Sequence, residues 1–164
     1  MRTLYIMRHA QAGHGSPDKV RDLTELGRSQ AADAGARFAL AGPVDLAIVS
    51  GAVRTRQTFE GIVSAGGVFG DVHFDDDLYT AGQYGALELL QEVVPSVSSV
   101  LLLGHEPTVS GLTALLSNGA TPLGREAGRG FWPSQVAVLE FGSTWAGLDM
   151  RGVQVNDLWK PRKY

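Results

Sequence analysis

Two arginines and two histidines of the sequence have the chemistry that phosphoryl transfer needs: Arg8, His9, Arg54 and His105. A neutral imidazole can attack phosphorus in line and form a phosphohistidine, which divides one difficult displacement into two easier ones. The guanidinium group of arginine stays protonated, and its planar fork matches the oxygens of a phosphoryl group. These residue types predict a site in which one imidazole attacks and the other three side chains hold the charge of the transferred group.

Each of these residues follows a short apolar run of the chain. Residues 3–7 lead into Arg8 and His9, residues 45–50 lead towards Arg54, and residues 99–103 lead towards His105. Such runs are typical of buried strands, and in open α/β sheets ligands bind beyond the carboxyl ends of the strands. If the three strands are parallel neighbours, their ends deliver all four side chains to one edge of the sheet.

Amphipathic segments separate the apolar runs, which is typical of β–α–β units. Asp22 or Thr24 could cap the first of these helices. The predicted helices span residues 23–40, 52–64, 84–94 and 107–117. The predicted strands span residues 3–7, 45–50, 72–74, 99–103 and 135–141, and residues 153–159 are a further segment that could pair. The predicted loops span residues 10–22, 75–83 and 118–134. We expect a single domain over residues 1–164, with a three-layer α/β/α fold and a mostly parallel central sheet.

Composition excludes several kinds of site and partner. The 164 residues include no cysteine, which excludes disulfides, thiolate catalysis and Cys-based zinc or iron–sulfur centres. The net charge of −3 gives no reason to expect nucleic acid or an anionic membrane as a partner. No apolar run reaches the roughly 20 residues of a membrane span, and the run at residues 3–7 would make a poor signal peptide. We expect a cytoplasmic monomer that uses neither metal nor cofactor.

Four segments, in this order, resemble the motifs of the histidine phosphatase superfamily, also called phosphoglycerate mutase-like. Residues 4–10 end in Arg8-His9-Ala10, similar to the family's Arg-His-Gly signature, and residues 23–27 match its Leu-Thr-x-x-Gly helix start. Residues 50–58 are similar to its Ser-x-x-x-Arg-x-x-Gln-Thr segment, and residues 103–107 match the segment of its second histidine. The resemblance implies that His9 is the nucleophile and that the matching arginine of the third segment is Arg54.

Two departures from the family pattern bear on the substrate. Larger members carry an acid in a Leu-x-Glu segment after the third strand, whereas this chain has Leu78-Tyr79-Thr80 there. The P–N bond of phosphohistidine breaks with less help from an acid than an alkoxide leaving group needs. The missing acid therefore favours phosphohistidine or another activated phosphoryl donor as the substrate. The short chain and the Gly-His-x-Pro form of residues 104–107 look most like the SixA-type phosphohistidine phosphatases. The second departure, Ala10 in place of glycine, keeps a small side chain beside the phosphate.

We therefore expect a phosphatase that forms a phosphohistidine intermediate on His9 and acts on phosphohistidine in a protein. A phosphomonoesterase for a small metabolite or nucleotide is the alternative enzyme, and a non-catalytic phosphate-binding module is the alternative from another class. Tyr79 is expected in the pocket wall. Glu106 could be either a rim residue that selects substrates or a plain carboxylate at a helix N-terminus. Asp76, Asp77 and Glu106 also remain candidates for the general acid that is missing from residues 78–80.

Three neighbouring polar residues receive structural assignments. Residues two apart on a helix point to different faces, so Arg56 is expected in solvent while Arg54 enters the pocket. Ser50 and Thr58 are expected to be hydrogen-bonding structural groups.

Overall fold

The computed structural model describes all of residues 1–164 and contains six strands and five α-helices. None of the helices combines the length and the apolar composition that crossing a bilayer requires. The strands are β1 (Arg2–Arg8), β2 (Val44–Ser50), β3 (Phe69–Asp75), β4 (Ser99–Gly104), β5 (Val136–Phe141) and β6 (Gln154–Trp159). The helices are α1 (Glu25–Ala41), α2 (Val53–Ser64), α3 (Gly82–Gln91), α4 (Thr108–Ser117) and α5 (Pro122–Gly128).

All six strands join one sheet in the order β3-β2-β4-β1-β5-β6. The first four strands of that order pair in parallel, while β5 is antiparallel to both of its neighbours. The predicted mostly parallel sheet is therefore confirmed. The segment at residues 153–159 does pair, as β6, and β3 extends further than the predicted residues 72–74.

The helices cover both faces of this sheet. Side chains alternate between the two faces along a strand. Leu4 and Ile6 of β1 pack in one core cluster with residues of α3, α4 and α5. Tyr5 and Met7 of the same strand pack in the other cluster with residues of α1 and α2. The two clusters give the three-layer α/β/α architecture that the sequence predicted.

Helix α5 corrects the prediction that residues 118–134 form one long loop. The side chain of Thr121 caps the helix by accepting a hydrogen bond from Gly124 N at 3.0 Å, and a proline is tolerated in the first turn. Gly128 packs so closely on α4 that an added Cβ would lie 3.0 Å from the Cβ of Ala114. The glycines that indicated a loop instead let two helices approach each other.

Two other predicted loops contain short 3-10 turns. Residues 10–22 include a turn at Asp18–Val20, and residues 75–83 include a turn at Asp77–Tyr79. The predicted start of α3 is also wrong by two residues, because the helix begins at Gly82. Both turns lie near the carboxyl edge of the sheet, so they bear on the site described below.

The start of α1 fixes the path of the chain that leaves β1. Of the two predicted capping residues it is Thr24 that accepts a hydrogen bond from Gly27 N, at 3.0 Å, and its hydroxyl donates to Gln11 Oε1 at 2.7 Å. Gly27 lies against the backbone of Gln11, where an added Cβ would be 2.0 Å from the Gln11 carbonyl oxygen. Gln11 is two residues beyond His9, so this contact positions the segment that carries His9.

Replacing Gly27 by alanine is expected to lower the free energy of unfolding by about 1–3 kcal/mol, because the Gln11 backbone must move. Urea unfolding measures the change. Gly111→Ala in α4 is the matched control, since its Cβ would meet only the flexible side chain of Gln83, at 3.3 Å. That control should change stability by less than about 1 kcal/mol. Equal losses in the two variants would contradict the proposed contact.

Candidate active site

The ends of β1, β4 and β2 bring five of the six predicted site residues into one cleft of about 250 Å³; Tyr79, expected in the pocket wall, is not among its lining residues. Arg8 pairs with Gly104 in the register of β1 and β4, so His9 and His105 each follow a matched position. Their ring centroids are 5.3 Å apart. The cleft is lined by Arg8, His9, Arg54, His105 and Glu106, and by Gln11, Ala12, Arg21 and Pro133.

His9 is held in one orientation by hydrogen bonds at both ring nitrogens. Its Nδ1 lies 2.6 Å from the carbonyl oxygen of Ala10, which can only accept, so Nδ1 carries the proton. Its Nε2 accepts from Arg54 Nε at 3.3 Å, so this nitrogen is unprotonated and its single electron pair is available for attack once Arg54 Nε donates to a substrate oxygen instead. The Ala10 backbone is fixed in turn, because Ala10 N donates to Thr58 Oγ1 at 3.0 Å.

Burial keeps His9 neutral. It lowers the pKa of the imidazole to about 3, although the hydrogen bond to the Ala10 carbonyl works in the opposite direction. His105, Arg54 and Arg8 add smaller effects that also disfavour the imidazolium. At neutral pH the group that faces the cleft is an unprotonated nitrogen.

His105 lies between a hydrogen-bonding partner and an aromatic ring. Its Nε2 is 2.7 Å from Ser50 Oγ, and its Nδ1 is buried without a hydrogen-bond partner. The ring of Tyr79 packs edge-on against it, with centroids 5.2 Å apart. Burial and then the charge of Arg54 lower the pKa of His105 to about 4, while the carboxylate of Asp18 raises it.

Arg8 is connected to Glu106 through the backbone of Phe131. Arg8 Nη1 donates to the Phe131 carbonyl at 2.8 Å, and Phe131 N donates to Glu106 Oε2 at 2.9 Å. The other carboxylate oxygen of Glu106 accepts from Ser110 N at 2.9 Å, in the first turn of α4. Burial lowers the pKa of Arg8, and Glu106 raises it. Glu106 thus lines the cleft and also accepts a backbone N–H of the first turn of α4, while its selection of substrates stays a prediction.

Asp18 and Arg21 are parts of the site that the sequence did not reveal. Arg54 Nη1 donates to the Asp18 carbonyl at 2.9 Å, and Nη2 donates to its carboxylate at 3.1 Å. Arg21 Nε donates to the same carboxylate at 2.9 Å, and the hydroxyl of Tyr79 donates to it as well. The 3-10 turn at Asp18–Val20 supplies these contacts, and a loop without apolar periodicity gave no indication of them.

The polar residues around the site follow the predictions with one exception. Ser50 and Thr58 are buried and hydrogen-bonded, as expected. Arg56 stays outside the cleft, as predicted, but it is half-buried and not fully solvated, because its Nε donates to the Gly51 carbonyl at 3.0 Å and its guanidinium lies 4.1 Å from the centroid of the Phe74 ring. A guanidinium can stack on an aromatic face.

The acids that stayed open from the sequence lie in different places. Asp76 and Asp77 do not line the cleft, whereas Glu106 does. No group of three or more His, Asp or Glu side chains is arranged to hold a metal ion. The positive charge in the cleft is supplied by Arg8, Arg21 and Arg54.

The two buried histidines predict that stability falls as the solution is acidified. In the unfolded chain imidazoles take up protons near pH 6.5, but His9 and His105 in the fold do so only near pH 3 and pH 4. Below pH 6.5 the unfolded state therefore binds more protons and is favoured. We expect each histidine to lower the free energy of unfolding by about 2 kcal/mol between pH 7 and pH 5.

Urea unfolding of His9→Gln at both pH values tests this expectation, since the variant should lose about 2 kcal/mol less than the wild type on acidification. His73, whose side chain is 63% exposed and lies outside the cleft, gives the matched control His73→Gln. A wild-type pH dependence in the His9 variant would be inconsistent with a buried neutral imidazole.

Comparison with known proteins identifies the family. Residues 4–93 match the model of the histidine phosphatase superfamily, branch 1. An uncharacterised protein of Mycobacterium tuberculosis is 30% identical over 149 residues, which cover 87% of this chain and 92% of its own.

Two solved structures are similar over nearly the whole chain. A structure from Nakamurella multipartitia, described as a candidate phosphohistidine phosphatase SixA, is 31% identical with a TM-score of 0.85, and the match covers 98% of this chain and 96% of that one. The protein histidine phosphatase SixA in complex with tungstate is 26% identical with a TM-score of 0.78, and the match covers 97% of both chains. The chain therefore belongs to branch 1 of the histidine phosphatase superfamily and is a phosphatase that acts through histidine.

Proposed function

We propose that the chain hydrolyses phosphohistidine in a protein, in two steps through a phosphorylated His9. The observation that carries this proposal is the position of His9 Nε2, a neutral nitrogen 3.3 Å from Arg54 Nε in a cleft lined by arginines. The hydrogen bond from Nδ1 to Ala10 keeps the electron pair on Nε2. This arrangement prepares both the nucleophile and the charge that must surround a transferred phosphoryl group.

In the first step Nε2 of His9 attacks phosphorus as the P–N bond of the substrate breaks. The electron pair of that bond goes to the leaving imidazole, and the phosphoryl group becomes bonded to His9. Arg8 and Arg54 hold its equatorial oxygens by charge-assisted hydrogen bonds. A Ser50 hydroxyl that donates to His105 Nε2 leaves the proton on Nδ1, a buried atom without a partner, as a further donor.

In the second step water attacks the phosphorus of phosphorylated His9. The P–Nε2 bond breaks, its electron pair returns to Nε2, and one proton of the water goes to the inorganic phosphate or to solvent. His9 is again neutral, which its environment favours. The charge is carried throughout by guanidinium groups, so the proposed reaction uses no metal ion.

The groups around the leaving side favour phosphohistidine over an alkyl phosphate. Tyr79, at the place of the acid in larger family members, directs its hydroxyl proton to Asp18. Both carboxylate oxygens of Glu106 accept backbone N–H groups. Neither group is free to protonate an alkoxide, and the cleavage of a P–N bond depends less on such a proton. The SixA structures that resemble this chain support the same substrate class.

The variant His9→Ala is expected to abolish the turnover of nitrophenyl phosphate, because it removes the nucleophile. When the wild-type protein is exposed briefly to this substrate and then quenched, analysis for acid-labile phosphate should detect phosphorylated His9. His73→Ala, in the exposed strand β3, is the control and should keep wild-type turnover. Undiminished turnover by His9→Ala would refute the mechanism, and binding without any phosphorylated His9 would indicate a phosphate-binding module.

A comparison of substrates tests the proposed leaving group. We expect kcat/KM for a phosphohistidine peptide to exceed that for sugar phosphates by at least tenfold, about 1.4 kcal/mol of transition-state stabilisation. Both assays use the same protein at pH 7 and measure released phosphate. A higher kcat/KM for the sugar phosphates would instead assign the site to a phosphomonoesterase for small metabolites.

A further inference from the structure

Asp18 does not itself line the cleft, but its carboxylate has three donors bound to it, two of which belong to arginines that do line it. These donors are Arg54 Nη2 at 3.1 Å, Arg21 Nε at 2.9 Å and the hydroxyl of Tyr79. Half of the Asp18 side chain is exposed, so the carboxylate faces the solvent from which a substrate arrives. The hydrogen bond from Tyr79, followed by the charge of Arg54, lowers the pKa of Asp18 to about 2. Asp18 is therefore ionised at neutral pH and has no proton to give.

The contacts of Asp18 determine which arginine nitrogens remain for a substrate. Arg54 uses Nη1 and Nη2 on Asp18, so the nitrogen that it directs towards His9 is Nε. Arg21 uses Nε on the same carboxylate and Nη1 on the carbonyl of Gly13, at 2.9 Å. Each arginine keeps N–H groups for phosphoryl oxygens, because every Nη carries two, but the donors that bind Asp18 and Gly13 are not open to a second anionic group of a substrate.

We infer that Asp18 sets the selectivity for the leaving group, favouring a protonated imidazole and disfavouring a leaving group that carries a carboxylate or a second phosphate. This inference rests on the proposed function, because it concerns the same transfer to His9. The ring of phosphohistidine is cationic when its second nitrogen is protonated, and that N–H can donate to a nearby carboxylate. When the P–N bond breaks, its electron pair neutralises the ring, which departs as imidazole.

Tyr79 connects this inference to the missing acid. The larger family members resembled by the sequence have a proton donor in the segment where this chain has Tyr79. Here the tyrosine hydroxyl instead supports an anion, and its ring packs against His105. Asp18 and Tyr79 together thus present an acceptor and no free proton donor, which suits a leaving group that already carries its proton. Lys19, whose ammonium lies 5.4 Å from the Tyr79 ring centroid, sits over the face of that ring.

The variant Asp18→Asn tests the inference, since it keeps the shape and removes the charge. Three substrates are compared: a phosphohistidine peptide without other charged residues, 3-phosphoglycerate, and nitrophenyl phosphate as the internal reference. We expect the ratio of kcat/KM for the peptide to kcat/KM for phosphoglycerate to fall at least fivefold. A smaller change in this ratio, including an equal loss for all three substrates, would show that Asp18 only supports the loop and would overturn the inference.

Asp22→Asn is the matched control, because Asp22 lies in the same segment but accepts from Gln57 Nε2, at 2.8 Å, whereas Asp18 binds two arginines of the cleft. It should leave the substrate ratio unchanged. Asp18→Glu retains the charge and should retain the wild-type selectivity. Asp18→Ser replaces Asp18→Asn if the amide variant does not fold, as judged by its thermal unfolding, with the same fivefold criterion.

The proposed function and this inference can fail separately. A wild-type protein that hydrolyses nitrophenyl phosphate but not the phosphohistidine peptide refutes the proposed substrate. In that case the ratio of kcat/KM for nitrophenyl phosphate to that for 3-phosphoglycerate decides the role of Asp18. A fivefold fall of this ratio in Asp18→Asn supports selection against anionic leaving groups, and a smaller change refutes it.

Discussion

The register between β1 and β4 is the constraint on which the whole site depends. Arg8 pairs with Gly104, so the residues that follow, His9 and His105, leave the sheet side by side. The register is firmly set because residues 4–7 of β1 and 100–103 of β4 are buried on both faces. A slip of one residue would exchange the side chains between the two core clusters, which the helices on either side could not accommodate.

The electrostatics of the site follow from this close placement. Each imidazole is buried and lies near guanidinium groups, and both effects lower its pKa. Burial is the larger of the two effects on His9, and the charges of Arg54 and Arg8 act in the same direction. Burying Arg54, which is 5% exposed, requires partners of its own, and the carbonyl and carboxylate of Asp18 provide them.

The sequence predicted the parts of the site that stand at strand ends and left out the parts that loops supply. His9 and His105 could be found because each follows an apolar run whose length and composition indicate a buried strand. Asp18 could not be found from the sequence, because its contact with Tyr79 joins positions 61 residues apart and neither segment has a periodic pattern. Helix α5 was missed for a different reason, since glycine indicates both a flexible loop and a close helix contact.

Both site arginines beside His9 are held by a backbone carbonyl from a distant loop. Phe131 holds Arg8, and Asp18 holds Arg54. Without these anchors a long side chain has many rotamers, and fixing one of them on binding would reduce the affinity for the phosphoryl group. The loops pay that entropic cost when the chain folds, so the charge is in place before the substrate arrives. Substitutions in either loop should therefore act on phosphoryl transfer through the orientation of an arginine, even where they leave the sheet and its two histidines unchanged.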